Sequence, residues 1–489
     1  MSLKNTPAPP PLETVKRLLP WLVAVSFFME SLDMTILNTA VPTIADAMGV
    51  VPLSLKSALT SYTLSLALFI PLSGWIADRF GTRRVFSTAI GIFALGSLLC
   101  GLSANVHFLV AARILQGFGG AMMVPVGRIA IVRTFAKSEI LRAMSFVVIP
   151  GLIGPLIGPL VGGLIVGWFP WRLIFFINVP IGLVSLFVIY RYMPDYRAEL
   201  SRKLDFTGFV LFGAGVALLS HVLEIFGEHS ASLAETLAML GVALGLLALY
   251  GWHSLRTPQP LLQIGLFRKR TFGTAVSGSF FSRIGIGGMP FLLPLYYQVC
   301  LGYSPVHAAL LIMPQPLAAM TLKTVVSPIL KRIGYRRVLV YNTAAVAAVI
   351  ACFATVTAAT PVWVILAQAF CFGFLMSLHY TSINSLTFAD LDPEETSMGS
   401  SMSSVAQQLS MSFGVATASL LTAMFLGFGH HGSEPADSGA MSTAIRSSFV
   451  ALGVITLVTS QLFRRLHPND GDNVSRRLPE PAPPETVRV

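Results

Sequence analysis

A chain of 489 residues that is 54% hydrophobic and only 11% charged, with a mean hydropathy of +0.73, is too apolar for water, since soluble proteins carry about 25% charged residues. The composition gives a polytopic membrane protein and excludes soluble enzymes and soluble binding modules. The net charge of +11 points to nucleic acid only until its distribution is read: the basic residues crowd into alternate loops, so they report topology, and no nucleic-acid partner is expected.

At about 20 apolar residues per crossing, fourteen stretches qualify: 20–43, 55–76, 85–104, 107–130, 142–167, 172–191, 206–226, 234–253, 272–298, 306–330, 337–357, 361–388, 400–427 and 444–463. An even number puts both termini on one side. With the N-terminus inside, the outer loops hold only Lys56, Arg172 and Arg446 of the 33 lysines and arginines, so both termini are expected in the cytoplasm. Residues 1–19 lack the core and cleavage site of a signal peptide and read as a disordered lead-in, and the proline-rich tail 464–489 reads likewise. Between them lie a six-helix half (20–191), a linker (192–205), a two-helix hairpin (206–253), a second linker (254–271) and a second six-helix half (272–463). The four cysteines, at 100, 300, 352 and 371, fall inside apolar stretches with no paired or metal-ligating spacing.

The first stretch holds two carboxylates, Glu30 and Asp33, three apart and so on one helix face. An ionised acid at mid-membrane costs roughly 2.5–3.5 kcal/mol on insertion scales, which makes this face a candidate water-filled proton path. In the fourth stretch Arg113 is the expected partner of Asp33. Their depths, roughly 9 and 15 Å at 1.5 Å per residue, differ by a gap that an arginine side chain spans. A pair whose contact depends on conformation can bind and release a proton on opposite sides, whereas a static pair only makes two charges tolerable.

The chain repeats itself. Gly74-Trp75-Ile76-Ala77-Asp78-Arg79-Phe80-Gly81-Thr82-Arg83-Arg84-Val85 returns 253 positions later as Ser327-Pro328-Ile329-Leu330-Lys331-Arg332-Ile333-Gly334-Tyr335-Arg336-Arg337-Val338. Two equivalent halves with the hairpin inserted between them match a transporter architecture with its substrate site between the halves. In this register Arg283 falls at the position of Glu30. It either pairs with Glu30 or Asp33 across the cavity or offers a fixed charge to an anionic substrate. Lys323 and Arg128 lie nearer the basic ends of their helices, where snorkelling explains them.

These motifs resemble the major facilitator superfamily, in particular its fourteen-helix drug:proton antiporter branch. The resemblance rests on the turn at Gly74, Asp78, Arg79, Gly81, Arg83 and Arg84, on Arg113-x2-Gln116-Gly117, and on Gly154-x3-Gly158-Pro159-x2-Gly162-Gly163. Leu32-Asp33-x-Thr35-x2-Asn38-x-Ala40-x-Pro42 and Trp171-Arg172-x2-Phe175-x2-Asn178-x-Pro180 add to it. It implies an all-α fold of two six-helix halves, proton-coupled multidrug efflux by alternating access, a bacterial inner-membrane location, and a monomer surrounded by lipid. It also implies that Asp78 meets the start of the thirteenth helix near Met398 to Ser401 and latches the inner side. The glycines of the fifth stretch permit close helix approach at a rocking interface. Candidate cavity residues are Arg283, Lys323, Gln116, Asn38, His379 and Asn384, and the proton set is Asp33, Arg113 and Glu30.

No phosphate loop of the Gly-x4-Gly-Lys-[Ser/Thr] kind, no metal-spaced cluster and no nucleophile–His–acid set is present in the sequence. The expectation is a secondary transporter and not an enzyme, with no metal and no cofactor beyond the proton gradient. Drug efflux is the first reading. Export of a small organic anion, such as citrate or a metal–carboxylate complex, is the alternative that Arg283 and Lys323 suggest.

Overall fold

The computed structural model describes residues 12–197, 204–228, 232–392, 395–429 and 438–471; the lead-in up to residue 11 and the tail from 472 lie outside that set. Among the described residues all regular structure is helical. Helices cover every one of the fourteen stretches: α1 Leu12–Ile36, α2 Lys56–Phe80, α3 Thr82–Leu102, α4 Val106–Thr134, α5 Lys137–Trp168, α6 Asn178–Tyr192, α7 Phe206–Glu228, α8 Leu233–Arg256, α9 Arg270–Gly287, α10 Pro314–Ile333, α11 Tyr335–Cys352, α12 Val362–Thr387, α13 Thr396–Gly429 and α14 Ser438–Thr459. Twelve of these regions are long and apolar enough to cross a bilayer. The two that fall outside that count are α5, whose counted apolar run is Ile153–Trp168, and the run beginning at α9.

Local chemistry explains where helices start and break. Asn105 caps α4 by accepting from the Phe108 N–H at 2.8 Å, and Ser232 with Glu235 forms a reciprocal capping box at α8. α9 stops at Gly288 and resumes as Met289–Leu295, where Pro290 has no N–H to continue the ladder; a π-turn at Tyr296–Cys300 closes the run. α10 is preceded by a short helix, Pro305–Ile312, and restarts at Pro314. α1 is followed, after a turn, by Val41–Met48.

The repeat seen in the sequence is a repeat of backbone. Gly81 between α2 and α3 has φ +95°, and Gly334 between α10 and α11 has φ +81°, a region that favours glycine. At Gly81 space adds to the requirement, since a Cβ there would lie 2.2 Å from the Asp195 carboxylate. That carboxylate accepts from the Arg83 N–H at 3.1 Å, while Thr82 and Tyr196 exchange two hydrogen bonds of 3.0 Å. The segment after α6 thus clamps the first turn.

Both basic turns lie at one end of the bundle, the basic end. At the opposite end the halves share one core: Leu32, Ile36 and Val41 are continuous with Met289, Tyr297 and Ala308. Toward the basic end each half has its own core, Leu19, Phe86, Met123 and Ile189 in one and Ala275, Tyr335, Leu386 and Phe463 in the other. A lateral seam along α2 and α13 also joins them, flanked by α7 and α8. The segment between α8 and α9 packs into that seam through buried Leu261, Leu262 and Leu266. Asp205 anchors it, accepting from the Leu261 N–H at 3.1 Å and the Gly208 N–H at 2.8 Å beside His253 at 2.8 Å. Burial works to raise the Asp205 pKa, but these partners together hold it below the ordinary value.

Candidate functional site

The carboxylate of Asp33 sits where α1, α3, α4 and α6 converge. Arg113 Nη1 lies 2.5 Å from Asp33 Oδ2, and both side chains are sealed from solvent, each residue 1% exposed. Gln116, one turn along α4, donates to Asp33 Oδ1 at 2.8 Å and accepts from the same Arg113 nitrogen at 2.8 Å. Asn178, the first residue of α6, donates to Asp33 Oδ1 at 3.3 Å and to Ser97 Oγ at 3.1 Å. Arg113 Nε donates to the Ala58 carbonyl at 3.2 Å, and its guanidinium lies 4.1 Å over the Tyr62 ring. Hydrogen bonds to the remaining donors and acceptors make a buried ion pair tolerable; here both Asp33 oxygens and the Nε and Nη1 of Arg113 have partners.

The expected Asp33–Arg113 contact therefore forms. Gln116 belongs to it and not to a cavity: it is fully buried, because the three-residue step along α4 that reaches Arg113 also points at Asp33. Asn178, Ser97 and Tyr62 complete the site without having been singled out for it. Asn178 carried a signal, standing in the Trp171–Pro180 motif.

Glu30 is 9% exposed, and its Oε2 has no hydrogen-bond partner among the described residues. The charges whose fields reach it are Arg128 and Asp33. Arg283 is not its partner, which corrects one expectation. Arg283, 7% exposed, donates from Nε to Ser279 Oγ at 3.1 Å and lies 3.7 Å over the Tyr380 ring. Among the described residues no carboxylate meets it. The register relating 283 to 30 places the two side chains in equivalent positions of different halves, not in contact.

His379 is also corrected. It is fully buried, with Nε2 2.7 Å from Ser282 Oγ and Nδ1 3.2 Å from Thr343 Oγ1, so it ties α12 to α9 and α11 and faces no open space. Asn384 is exposed and accepts from Gln407 at 3.4 Å. Asn38 is half-buried beside Thr39, whose carbonyl accepts from Gln298 of the other half at 2.9 Å. The side chain of Lys323 lies outside the described set.

The glycines of α5 form a flat face against α1. A Cβ at Gly154, Gly158 or Gly162 would come within 2.3 Å of Ser31 Oγ, 2.1 Å of Thr35 Oγ1 or 2.3 Å of the Ile36 carbonyl. Hydroxyls line the α1 side: Thr35 Oγ1 bonds the Ser31 carbonyl at 3.0 Å and the Gly154 carbonyl at 3.5 Å, and Thr39 Oγ1 the Ile36 carbonyl at 3.3 Å and the Pro159 carbonyl at 3.1 Å. Gly163 turns to the other half, where a Cβ would meet the Pro305 carbonyl at 2.7 Å.

In the signature turn, Arg79 stacks over Trp75 at 5.6 Å and Arg83 donates to the Tyr190 carbonyl. Asp78 accepts from Arg133 at 2.6 Å. Among the described residues Asp78 has no hydrogen bond to the start of α13, because Arg133 at the end of α4 takes it within its own half. The start of α13 is held instead by Lys269, which bonds Glu395 and Asp392, the latter at 2.9 Å.

Two pseudo-equivalent helical halves, sharing a core at one end and enclosing a charged site sealed within one half, define a polytopic membrane transporter. The chain belongs to the major facilitator superfamily: the family model described as Major Facilitator Superfamily matches residues 23–415. It is 41% identical over 452 residues to "Putative multidrug resistance protein MdtD" of Citrobacter koseri, covering 92% of this chain and 94% of that one. It is 40% identical to the protein of the same name from Escherichia coli strain 55989 over 455 residues, with the same coverage of both chains. Among solved structures it is similar in fold to a POT family transporter in complex with 5-aminolevulinic acid, with TM-score 0.66, 16% identity and coverage of 91% and 95%. It is likewise similar to a bacterial homologue of the lysosomal transporter Spinster in an inward-facing and unoccupied conformation, with TM-score 0.63, 16% identity and coverage of 92% and 96%.

Proposed function

We propose that this transporter is a proton-coupled drug exporter of a bacterial inner membrane, with its basic end and both termini in the cytoplasm, working by alternating access as a monomer. The observation that carries the reading is the buried Asp33–Arg113 pair with its Gln116 and Asn178 supports. Protonation of Asp33 removes the charge that holds Arg113, so the proton-bound and proton-free forms favour different packings of α1 against α4. Asp33 has no solvent contact in this conformation, and proton exchange accompanies a change of state. A core shared at the end opposite the basic turns, with separate cores toward the basic end that meet there through the lateral α2–α13 seam, supports an inward-facing form, with Gly154, Gly158 and Gly162 on the surface along which α5 moves. The names of the MdtD relatives support drugs as the cargo.

The test is proton-driven counterflow in proteoliposomes. Asp33→Asn is expected to abolish the pH-driven component while leaving substrate binding; undiminished pH-driven transport in that variant would sink the assignment. One observation favours the second reading, export of an organic anion: Arg283 is buried on Tyr380, and among the described residues no carboxylate meets it. Binding of a cationic dye and of a tricarboxylate to purified protein separates the two. Anion binding that disappears in Arg283→Ala, with dye ignored throughout, replaces the drug reading.

A further inference from the structure

The turn after α10 copies the turn after α2 in backbone but not in charge. Around the first, Arg133 meets Asp78 at 2.6 Å, Arg83 bonds the Tyr190 carbonyl, and the Asp195 carboxylate closes over Gly81. Around the second, Lys331 stands in the register of Asp78, and Pro468 of the segment after α14 stands over Gly334 where Asp195 stands over Gly81. The counter-charges of the first turn are thus replaced by a cation and an uncharged carbonyl.

Arg332, Arg336, Arg337 and Arg464 line a single cleft of about 610 Å³ at this second turn. Among the described residues none of the four has a carboxylate within ion-pair distance. Asp470, the acid of the same terminal segment, is taken by Arg270 at 2.7 Å. Four guanidiniums around one cavity repel one another, and an anion between them reverses the sign of that term. The wall of the cleft continues through Tyr341, 71% exposed, beside Ile333, 48% exposed. An exposed aromatic and an exposed aliphatic at a helix end mark the level where lipid headgroups meet acyl chains. The planar donor fork of arginine matches the oxygens of phosphate.

We propose that this cleft binds a phosphate-bearing anion, held by Arg332, Arg336, Arg337 and Arg464. The anion supplies from outside the protein the counter-charge that Asp78 and Asp195 supply at the first turn, and it clamps the α10–α11 turn to the segment after α14. Two sources carry this chemistry at that depth: the headgroup of an anionic phospholipid and a soluble phosphate compound.

The test uses the full-length protein in neutral detergent. In one arm, native mass spectrometry measures retention of added cardiolipin or phosphatidylglycerol against phosphatidylcholine. In the other, inorganic pyrophosphate is titrated and thermal stabilisation is read. Arg336→Gln with Arg464→Gln is compared with Arg17→Gln with Arg268→Gln, which removes the same charge from exposed sites outside the cleft. At about 1 kcal/mol per basic residue near the surface, the cleft variant is expected to bind about tenfold or more weaker, with the control unchanged. Loss confined to the lipid arm assigns a headgroup; loss confined to the pyrophosphate arm assigns a soluble phosphate. Equal losses in both double variants, or full retention in the cleft variant, overturn the proposal. Where the double variant does not fold, Arg337→Gln, at an exposed position of the cleft, carries the same comparison.

Discussion

The two halves hold their buried arginines differently. In the first, Arg113 faces Asp33 at 2.5 Å with Gln116 bridging the pair; in the second, Arg283 lies on the ring of Tyr380 and bonds a serine hydroxyl. Both are desolvated guanidiniums near mid-bundle, yet one is neutralised and the other keeps its field. An arginine on an aromatic face has a fixed charge at every physiological pH. The pseudo-repeat has thus kept the helix geometry and divided the electrostatics, with a guanidinium paired to a carboxylate in one half and one set on an aromatic ring in the other.

The largest effect that tests this contrast lies at the pair. Arg113→Gln leaves Asp33 buried without its cation and is expected to lose about 3–5 kcal/mol of stability. Arg113→Gln combined with Asp33→Asn leaves no orphaned charge and is expected to lose less than the two single changes added together. Thermal unfolding of the purified protein measures both; strict additivity means that the contact does not couple the residues. Next in size, Arg283→Gln is expected to lose about 1–2 kcal/mol, since a cation–π contact with Tyr380 and one hydrogen bond to Ser279 go with the guanidinium. A loss as large as that of Arg113→Gln would reveal a carboxylate partner and erase the contrast.

The smallest effect concerns pH at the edge of the second half. Glu395, then Asp392, raises the Lys269 pKa above its ordinary 10.5 by hydrogen bonding, and Lys269 holds Asp392 below its ordinary 3.8. The Lys269 contribution is complete below 10.5 and is lost as pH rises through its raised folded value. That of Asp392 is complete above 3.8 and is lost as pH falls through its lowered one. The Tm difference between parent and Lys269→Met should therefore be level from about pH 5 to pH 9 and shrink beyond both ends. A difference that changes steadily inside that range points to another titrating group.

The sequence made the axial arrangement legible: fourteen apolar stretches, a duplicated turn with its glycine, and an acid and an arginine at matching depth. Depth along a helix does not give rotation about it, and rotation decided what was misread. Gln116, at the depth of a cavity, faces inward to Asp33. His379 is turned so that two hydroxyls from different helices occupy its ring nitrogens. The cation whose field reaches Glu30, alongside that of Asp33, is Arg128, whose position nearer a helix end reads as interfacial in the sequence. Asn178 was hidden for another reason: it reaches Asp33 only because α6 begins at that residue, after a short turn of its own.

The contact between α1 and α5 has a property that follows from its hydroxyls. Each one that touches α5 also bonds a carbonyl one turn back in its own chain: Thr35 that of Ser31 within α1, and Thr39, in the turn after α1, that of Ile36. When the helices shift, the inter-helix bonds part and the local ones remain, so no polar atom is stranded in the bilayer. Opposite them the glycines present no teeth to climb over. On the proposed alternating-access reading, such a seam lets one helix slide on the other at little cost in packing or hydrogen bonding.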